Sequence, residues 1–167
     1  MIKLAEQIAR KAHNGQFDKA GRPFIEHPQF VSGRCVTEKA KIAGWLHDVV
    51  EDTEVTLEDL RMQGFDEDVI EAVRCVTKTR DYDENTYYFG IHNNPVATEV
   101  KLADLTHNMD LSRIPDGASK EYVDGMIKKR DNYMRYYNYL TKAPAGMTLR
   151  EFENRSEKHE VYRNRRT

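Results

Sequence analysis

Two cysteines, Cys35 and Cys75, are all that the 167 residues contain. They form no C-x-x-C pair, which excludes zinc-finger spacing and a disulfide scaffold and leaves two buried or half-buried thiols in a reducing compartment. No apolar run approaches the roughly 20 residues that a bilayer demands. The first ten residues carry Lys3, Glu6 and Arg10 inside an apolar pattern, unlike a signal peptide. The expectation is a cytoplasmic protein without a membrane partner. An excess of basic charge is missing too. The 26 Lys and Arg are balanced by 28 Asp and Glu, for a net charge of −2. No global positive field argues for nucleic acid, although a local phosphate pocket is still allowed. Strand-like alternation, repeats, low-complexity tracts and interdomain linkers are likewise absent.

The pattern that is present is helical. Apolar residues make up 39% of the chain and charged residues 32%, the balance of a solvated globular domain large enough for one core. Ile2, Ala5, Ile8, Ala9 and Ala12 share a helical face that ends at Asn14-Gly15. Gln16 to His27 reads as an ordered loop, followed by a short helix from Gln29 to about Gly33. Thr37 reads as the N-cap of a helix from Glu38 to about Val50, apolar nearly all round and hence central. Thr56 with Asp59 suggests a capping box, Val69 to Val76 a further helix, and Asn85 to His92 another. A helix from Val96 to Arg113 would bury Leu102, Leu105 and Met109. A long one runs from Ser119 to Leu140. The fold class is therefore all-α, a compact irregular helical bundle. Residues 1–140 form the domain and residues 141–167 a charged, partly helical extension.

The central helix carries residues that a structural helix avoids. His47 lies in its apolar inner row, and Asp48, Glu51 and Asp52 follow at its end. Buried charge is costly unless paired or bound to a metal. Lys101, Asp104 and Asn108 form a second polar row at helical spacing. His27, fixed between Phe24-Ile25 and Pro28, is a further donor. Two imidazoles and two carboxylates suit a divalent transition metal such as manganese, iron or zinc better than calcium. Such an ion activates water and neutralises phosphate oxygens. Glu51, one turn beyond His47, is a candidate to take the proton from that water.

Other residues read more plainly. His13 is expected to hydrogen-bond at the end of the first helix. His92, His159 and the Arg163–Arg166 run read as surface, and His107 as a support of the site rather than a ligand. Tyr133, Tyr136, Tyr137 and Tyr139 read as packing rather than a stacking platform.

Several blocks also resemble a known family. They are Ala12-His13-Asn14-Gly15-Gln16, Gly21 to Pro28, Leu46-His47-Asp48-Val49-Val50-Glu51-Asp52-Thr53, Val76-Thr77-Lys78 and Val100 to Met109. In this order and with these gaps they resemble the hydrolase domain of RelA/SpoT-type alarmone enzymes, within the HD superfamily. The resemblance implies an all-helical fold and a manganese ion on His27, His47, Asp48 and Asp104. It implies that Glu51 and Asp52 handle the attacking water, that Asn108 contacts the nucleotide, and that the 3′-pyrophosphate is removed from guanosine tetra- or pentaphosphate (ppGpp, pppGpp) by a small stand-alone hydrolase. One departure bears on the substrate. Where the family has an Arg-Lys pair after Gln16, with the Arg against the purine, this chain has Phe17, Asp18 and Lys19. A carboxylate cannot stack as a guanidinium does. Phe17, Asp18 and Lys19, together with Lys78, Lys101 and Asn108, are the expected substrate contacts. The same chemistry on an adenine alarmone or another phosphate ester is the alternative.

Overall fold

The structure, a computed structural model, describes residues 1–164, with side chains described for residues 1–156. The readings of His159 and of the Arg163–Arg166 run fall on side chains outside the described residues. Among the described residues the chain forms ten α-helices in order: α1 Ile2–Ala12, α2 Glu26–Arg34, α3 Glu38–Leu46, α4 Val49–Asp52, α5 Leu57–Met62, α6 Glu67–Val76, α7 Glu84–His92, α8 Pro95–Asn108, α9 Lys120–Lys142 and α10 Leu149–Asn164. The one β-type pairing among them is an isolated bridge between Phe17 and Pro23, which pins the loop after α1. No helix among the described residues is long and apolar enough to cross a membrane.

Helix α3 is the hub, packing against α1, α2, α6 and α8. Its Ala40, Ile42, Ala43, Trp45 and Leu46 are all buried, as expected for a helix apolar nearly all round. The Thr37 hydroxyl caps it by accepting from the Ala40 N–H at 3.3 Å. Thr56 and Asp59 complete both halves of a capping box on α5. At Gly44 the backbones of α2 and α3 touch. A Cβ there would lie 3.0 Å from both the N and Cα of Ser32.

The structure departs from the sequence reading at the places where polar side chains compete with the helix backbone. The central helix does not run unbroken from Glu38 to Val50. It stops at Leu46 and resumes at Val49. The His47 imidazole Nδ1 lies 2.9 Å from the Gly44 carbonyl oxygen, the acceptor that a continuous helix would offer to the Asp48 amide. Likewise α8 ends at Asn108, not Arg113, and Leu111–Arg113 forms a single 3₁₀ turn. Asp110 caps that turn by accepting from the Ser112 N–H at 2.9 Å. Its buried face also differs. Leu105 is buried, but Leu102 and Met109 are only half-buried, while Lys101, Asp104 and His107 face inward. Helix α2 starts three residues earlier than expected, so His27 lies in its first turn and not in the preceding loop.

The C-terminal segment is more than a solvated tail. Leu149 is buried, the Phe152 ring meets Tyr139 at 5.8 Å, and Arg135 pairs with Glu153 at 2.7 Å. His92, expected at the surface, is half-buried over the Tyr139 ring, with Nε2 3.2 Å from the Pro144 carbonyl. The tyrosines do pack: Tyr88 stacks on Tyr136 at 4.1 Å, and the buried Tyr139 hydroxyl donates to the Met147 carbonyl. Burial pushes the Cys35 and Cys75 thiols up to about 12 and about 11, which leaves them unreactive.

The Gly44–Ser32 contact makes a prediction that runs against helix propensity. Ala is ordinarily favoured over Gly inside a helix by about 1 kcal/mol. Here Gly44→Ala drives a methyl into the α2 backbone and is expected to destabilise the protein by about 1–3 kcal/mol. A thermal melt of the variant checks this, and a raised melting temperature would show that the helices can move apart.

Candidate metal centre

Four side chains from three elements meet at the α3–α4 break. The ligand atoms of His27, His47 and Asp104 all lie within 4.8 Å of one another. His27 Nε2 is 3.1 Å from His47 Nε2 and 3.3 Å from Asp104 Oδ1. Asp48 Oδ2 flanks them, 3.1 Å from His47 Nε2 and 3.4 Å from His27 Nε2. Each element contributes for a local reason. The first turn of α2 supplies His27. The helix break turns His47 and Asp48 toward the same point, and the inward polar face of α8 supplies Asp104.

This arrangement is not satisfied by its own members. With Nδ1 of His47 committed to the Gly44 carbonyl, its Nε2 faces the Nε2 of His27 and two carboxylate oxygens. Acceptors facing one another in a buried space repel unless a proton or a cation lies between them. Spacings near 3 Å are also those of neighbouring ligands around one ion with bonds of roughly 2.0–2.2 Å. The donor set therefore fits a divalent metal ion.

The electrostatics point the same way. Burial opposes a charge on His47, but Asp48 and Asp104 outweigh it and raise the imidazole to about 9. Burial also opposes ionisation of Asp48 and Asp104. His47 and His27 nevertheless hold Asp48 below the usual carboxylate range, and Lys101 and His27 hold Asp104 well below it. The pocket is one that seeks positive charge.

No family model matches the chain. It is 35% identical over 127 residues to the guanosine-3′,5′-bis(diphosphate) 3′-pyrophosphohydrolase of Borreliella burgdorferi, a match covering 66% of this chain and 19% of that protein. It is 34% identical over 125 residues to the bifunctional (p)ppGpp synthase/hydrolase SpoT of Escherichia coli, covering 65% of this chain and 17% of that one. The chain thus matches less than a fifth of the length of these curated relatives. A solved structure of a metazoan ortholog of SpoT, described as hydrolysing ppGpp, superposes along nearly the whole chain. It covers 98% of this chain and 94% of that one, with a TM-score of 0.65 and 25% identity. Over about two thirds of its length the chain is thus similar to RelA/SpoT-type enzymes.

Around this centre, several residues expected to meet substrate are engaged elsewhere. Lys101 is buried, and its ammonium holds Asp104 Oδ2 at 2.8 Å beneath the Tyr87 ring. Asn108 donates to the other Asp104 oxygen. Both therefore orient a candidate ligand carboxylate. Asp18 is not a free acid. Its Oδ1 accepts from the Ala20 and Arg22 N–H groups at 2.8 and 2.9 Å, and its Oδ2 pairs with Arg113 at 2.6 Å. Phe17 is 67% exposed, open to solvent beside this loop. Lys78 lies against the Tyr82 and Tyr87 rings. Lys19 approaches Lys129 of α9 closely enough to pull that ammonium below the usual lysine range.

Glu51 and Asp52 are both exposed at the end of α4. Glu51 Oε2 accepts from the Lys78 backbone N–H at 2.7 Å and so anchors the loop after α6. Burial, then Asp48 and Glu51, raises Asp52 above the usual carboxylate range. His13 bonds Gln16 at 2.8 Å at the end of α1, as expected, but its Nε2 is buried with no hydrogen-bond partner among the described residues.

Reading the sequence missed Lys129 and Arg113. Nothing in the spacing connects them to residues about one hundred positions away. His107 was legible as a support, and its Nδ1 lies 2.7 Å from His27 Nδ1. Burial, His27 and Arg113 together push His107 down to about 4, so it is neutral.

The raised His47 gives a pH prediction. A metal ligand must be neutral imidazole, so binding expels its proton. In the metal-free protein, that proton contributes stability that is complete below about 6.5 and lost as pH rises through about 9. Thermal stability of the metal-free protein is therefore expected to fall across that window. Metal affinity is expected to gain up to about tenfold per pH unit over the same window. Calorimetric titration at several pH values measures this, and a flat profile would mean that no ligand proton is displaced.

Proposed function

We propose that the chain is a manganese-dependent phosphohydrolase acting in the cytoplasm, which removes the 3′-pyrophosphate from guanosine tetra- and pentaphosphate. The observation that carries the reading is the convergence of His27, His47, Asp48 and Asp104 on one buried point. The relatives' printed activities support it, as does the end-to-end likeness to a protein described as hydrolysing ppGpp.

The two-imidazole, two-carboxylate set admits manganese, iron or zinc, and the resemblance to RelA/SpoT-type enzymes favours manganese. When bound there, the ion supplies positive charge to a phosphate oxygen and makes a water acidic at neutral pH. The chain's own residues do the rest. Gly44 holds His47 in the tautomer whose Nε2 is free. Lys101 and Asn108 fix Asp104. Asp52, with its raised proton affinity, accepts the proton of the attacking water. Glu51 stands beside it, shares the handling of that water, and also anchors the Lys78 loop. Lys19, Lys78 and Lys129 are the cations available to phosphates, and Phe17 is an exposed ring available to a base.

The adenine-alarmone alternative rests on the stacking guanidinium that position 18 lacks. Both Asp18 oxygens are taken by the loop and by Arg113, so the carboxylate itself is not presented to a base. The printed activities of the relatives favour the guanine reading.

Two experiments test the proposal. Purified protein with manganese is offered a panel of 3′- and 5′-phosphorylated guanine and adenine nucleotides. The expected result is release of pyrophosphate with a guanosine 5′-phosphorylated product, fastest on ppGpp and pppGpp. Preference for an adenine substrate would reverse the choice of base, and no release from any 3′-pyrophosphorylated nucleotide would refute the activity. Separately, Asp52→Asn and Glu51→Gln are expected to keep the metal while turnover falls about 10²–10⁴-fold. Gln can still accept from Lys78, so a Glu51→Gln protein with wild-type turnover would reduce Glu51 to a loop anchor.

A further inference from the structure

A neutral imidazole has one N–H and one lone pair, and only the lone pair binds a cation. For His47 the choice is made by the Gly44 carbonyl, which takes the Nδ1 hydrogen. His27 has no such carbonyl. Its Nδ1 faces a second imidazole, His107 Nδ1, at 2.7 Å. Two neutral rings meeting nitrogen to nitrogen can share the hydrogen either way, and one of the two arrangements leaves His27 with an N–H where a metal should be.

Arg113 breaks the symmetry. Its Nη1 lies 2.9 Å from the same His107 Nδ1. A guanidinium only donates and does not lose its proton in proteins. His107 Nδ1 is therefore the acceptor, and its hydrogen sits on Nε2. With no hydrogen on His107 Nδ1 to accept, His27 carries its own hydrogen on Nδ1, sharing that one lone pair with Arg113, and presents its Nε2 lone pair to His47, Asp48 and Asp104. Phe30 lies against the His107 ring at 4.4 Å and holds its plane. Arg113 is itself held by Asp18, 95 residues away in sequence, at 2.6 Å. Side-chain exposures of 18% and 16% place that pair well out of bulk solvent. Asp18 in turn is fixed by the Ala20 and Arg22 amides.

We infer that Arg113 is a positioning residue that acts through His107 to lock His27 in its metal-binding tautomer, and that Asp18 locks Arg113. The inference rests on the metal reading given under the proposed function. It also gives Asp18 a role, which is to close a chain of hydrogen bonds from the loop after α1 to a metal ligand on α2.

Nitrogen NMR on the metal-free, histidine-labelled protein reads the tautomers directly. The expected wild-type pattern is hydrogen on Nδ1 of His27 and on Nε2 of His107. Arg113→Met keeps the aliphatic stem and removes the donor. It is expected to give mixed tautomers at both rings and to lower zinc and manganese affinity about 10–100-fold, the usual size of such outer contacts. Arg113→Lys, which still donates, is expected to recover most of the affinity. Should Arg113→Met fail to fold by circular dichroism, Asp18→Asn leaves the guanidinium in place and is read the same way, with a smaller loss expected. A folded variant with unchanged tautomers and unchanged affinity would overturn the inference. A wild-type protein that bound neither ion would instead overturn the metal reading, and with it any consequence of the tautomer for binding.

Discussion

The structure depends on how a helical bundle keeps charge in its core. Asp104 and Lys101 lie on the innermost face of α8, with two imidazoles and a second carboxylate against them. Burying one such pair in an apolar interior is at best neutral, and leaving one member unpaired costs about 3–5 kcal/mol. Lys101 neutralises only one of the two carboxylates. The other negative charge, and the facing nitrogens of His27 and His47, call for a cation or a proton. The raised proton affinity of His47 is the same demand expressed in the metal-free protein. A bundle built for stability alone would have placed leucine or valine at these positions.

The backbone is shaped by this demand. Helix α3 sits in the middle of the fold, and a continuous α3 would send His47 and Asp48 to different sides. Instead the His47 ring takes the Gly44 carbonyl, the helix stops, and the two side chains turn to one point. Gly44 serves both ends of this device. Its missing side chain lets α2 come within backbone contact, which brings His27 near, and its carbonyl sets the His47 tautomer. The close helix crossing and the ligand geometry are thus one structural event.

This is also where sequence reading reached its limit. Apolar periodicity revealed the bundle, the centrality of α3 and the caps at Thr37 and Thr56, because those are local in the chain. The ligand-type residues were legible because His47, Asp48 and Asp104 interrupt apolar patterns that should exclude them. The helix ends near His47 and Asp110 were not legible, since each depends on a side chain winning a backbone acceptor or donor, which periodicity does not register. The contacts of Lys101 and Asn108 with Asp104 were not legible for a related reason. Their helical face was right, but whether a polar row looks onto substrate or onto a neighbouring carboxylate is decided by packing. His92 went wrong because its cover comes from α9 and the Pro144 turn, far along the chain.

Asp18 shows how the two kinds of information combine. From sequence it stands as an acid in a loop expected to greet phosphates, and the simplest inference is a changed substrate. In the fold the same carboxylate is consumed by two amides and a guanidinium, so its charge does not reach the mouth of the site. A substituted residue in a binding loop can therefore alter the support of a metal ligand while the face shown to substrate is set by its neighbours, here Phe17 and Lys19. The loop after α1 and the 3₁₀ turn after α8 are then mechanically one unit, joined by a half-buried ion pair.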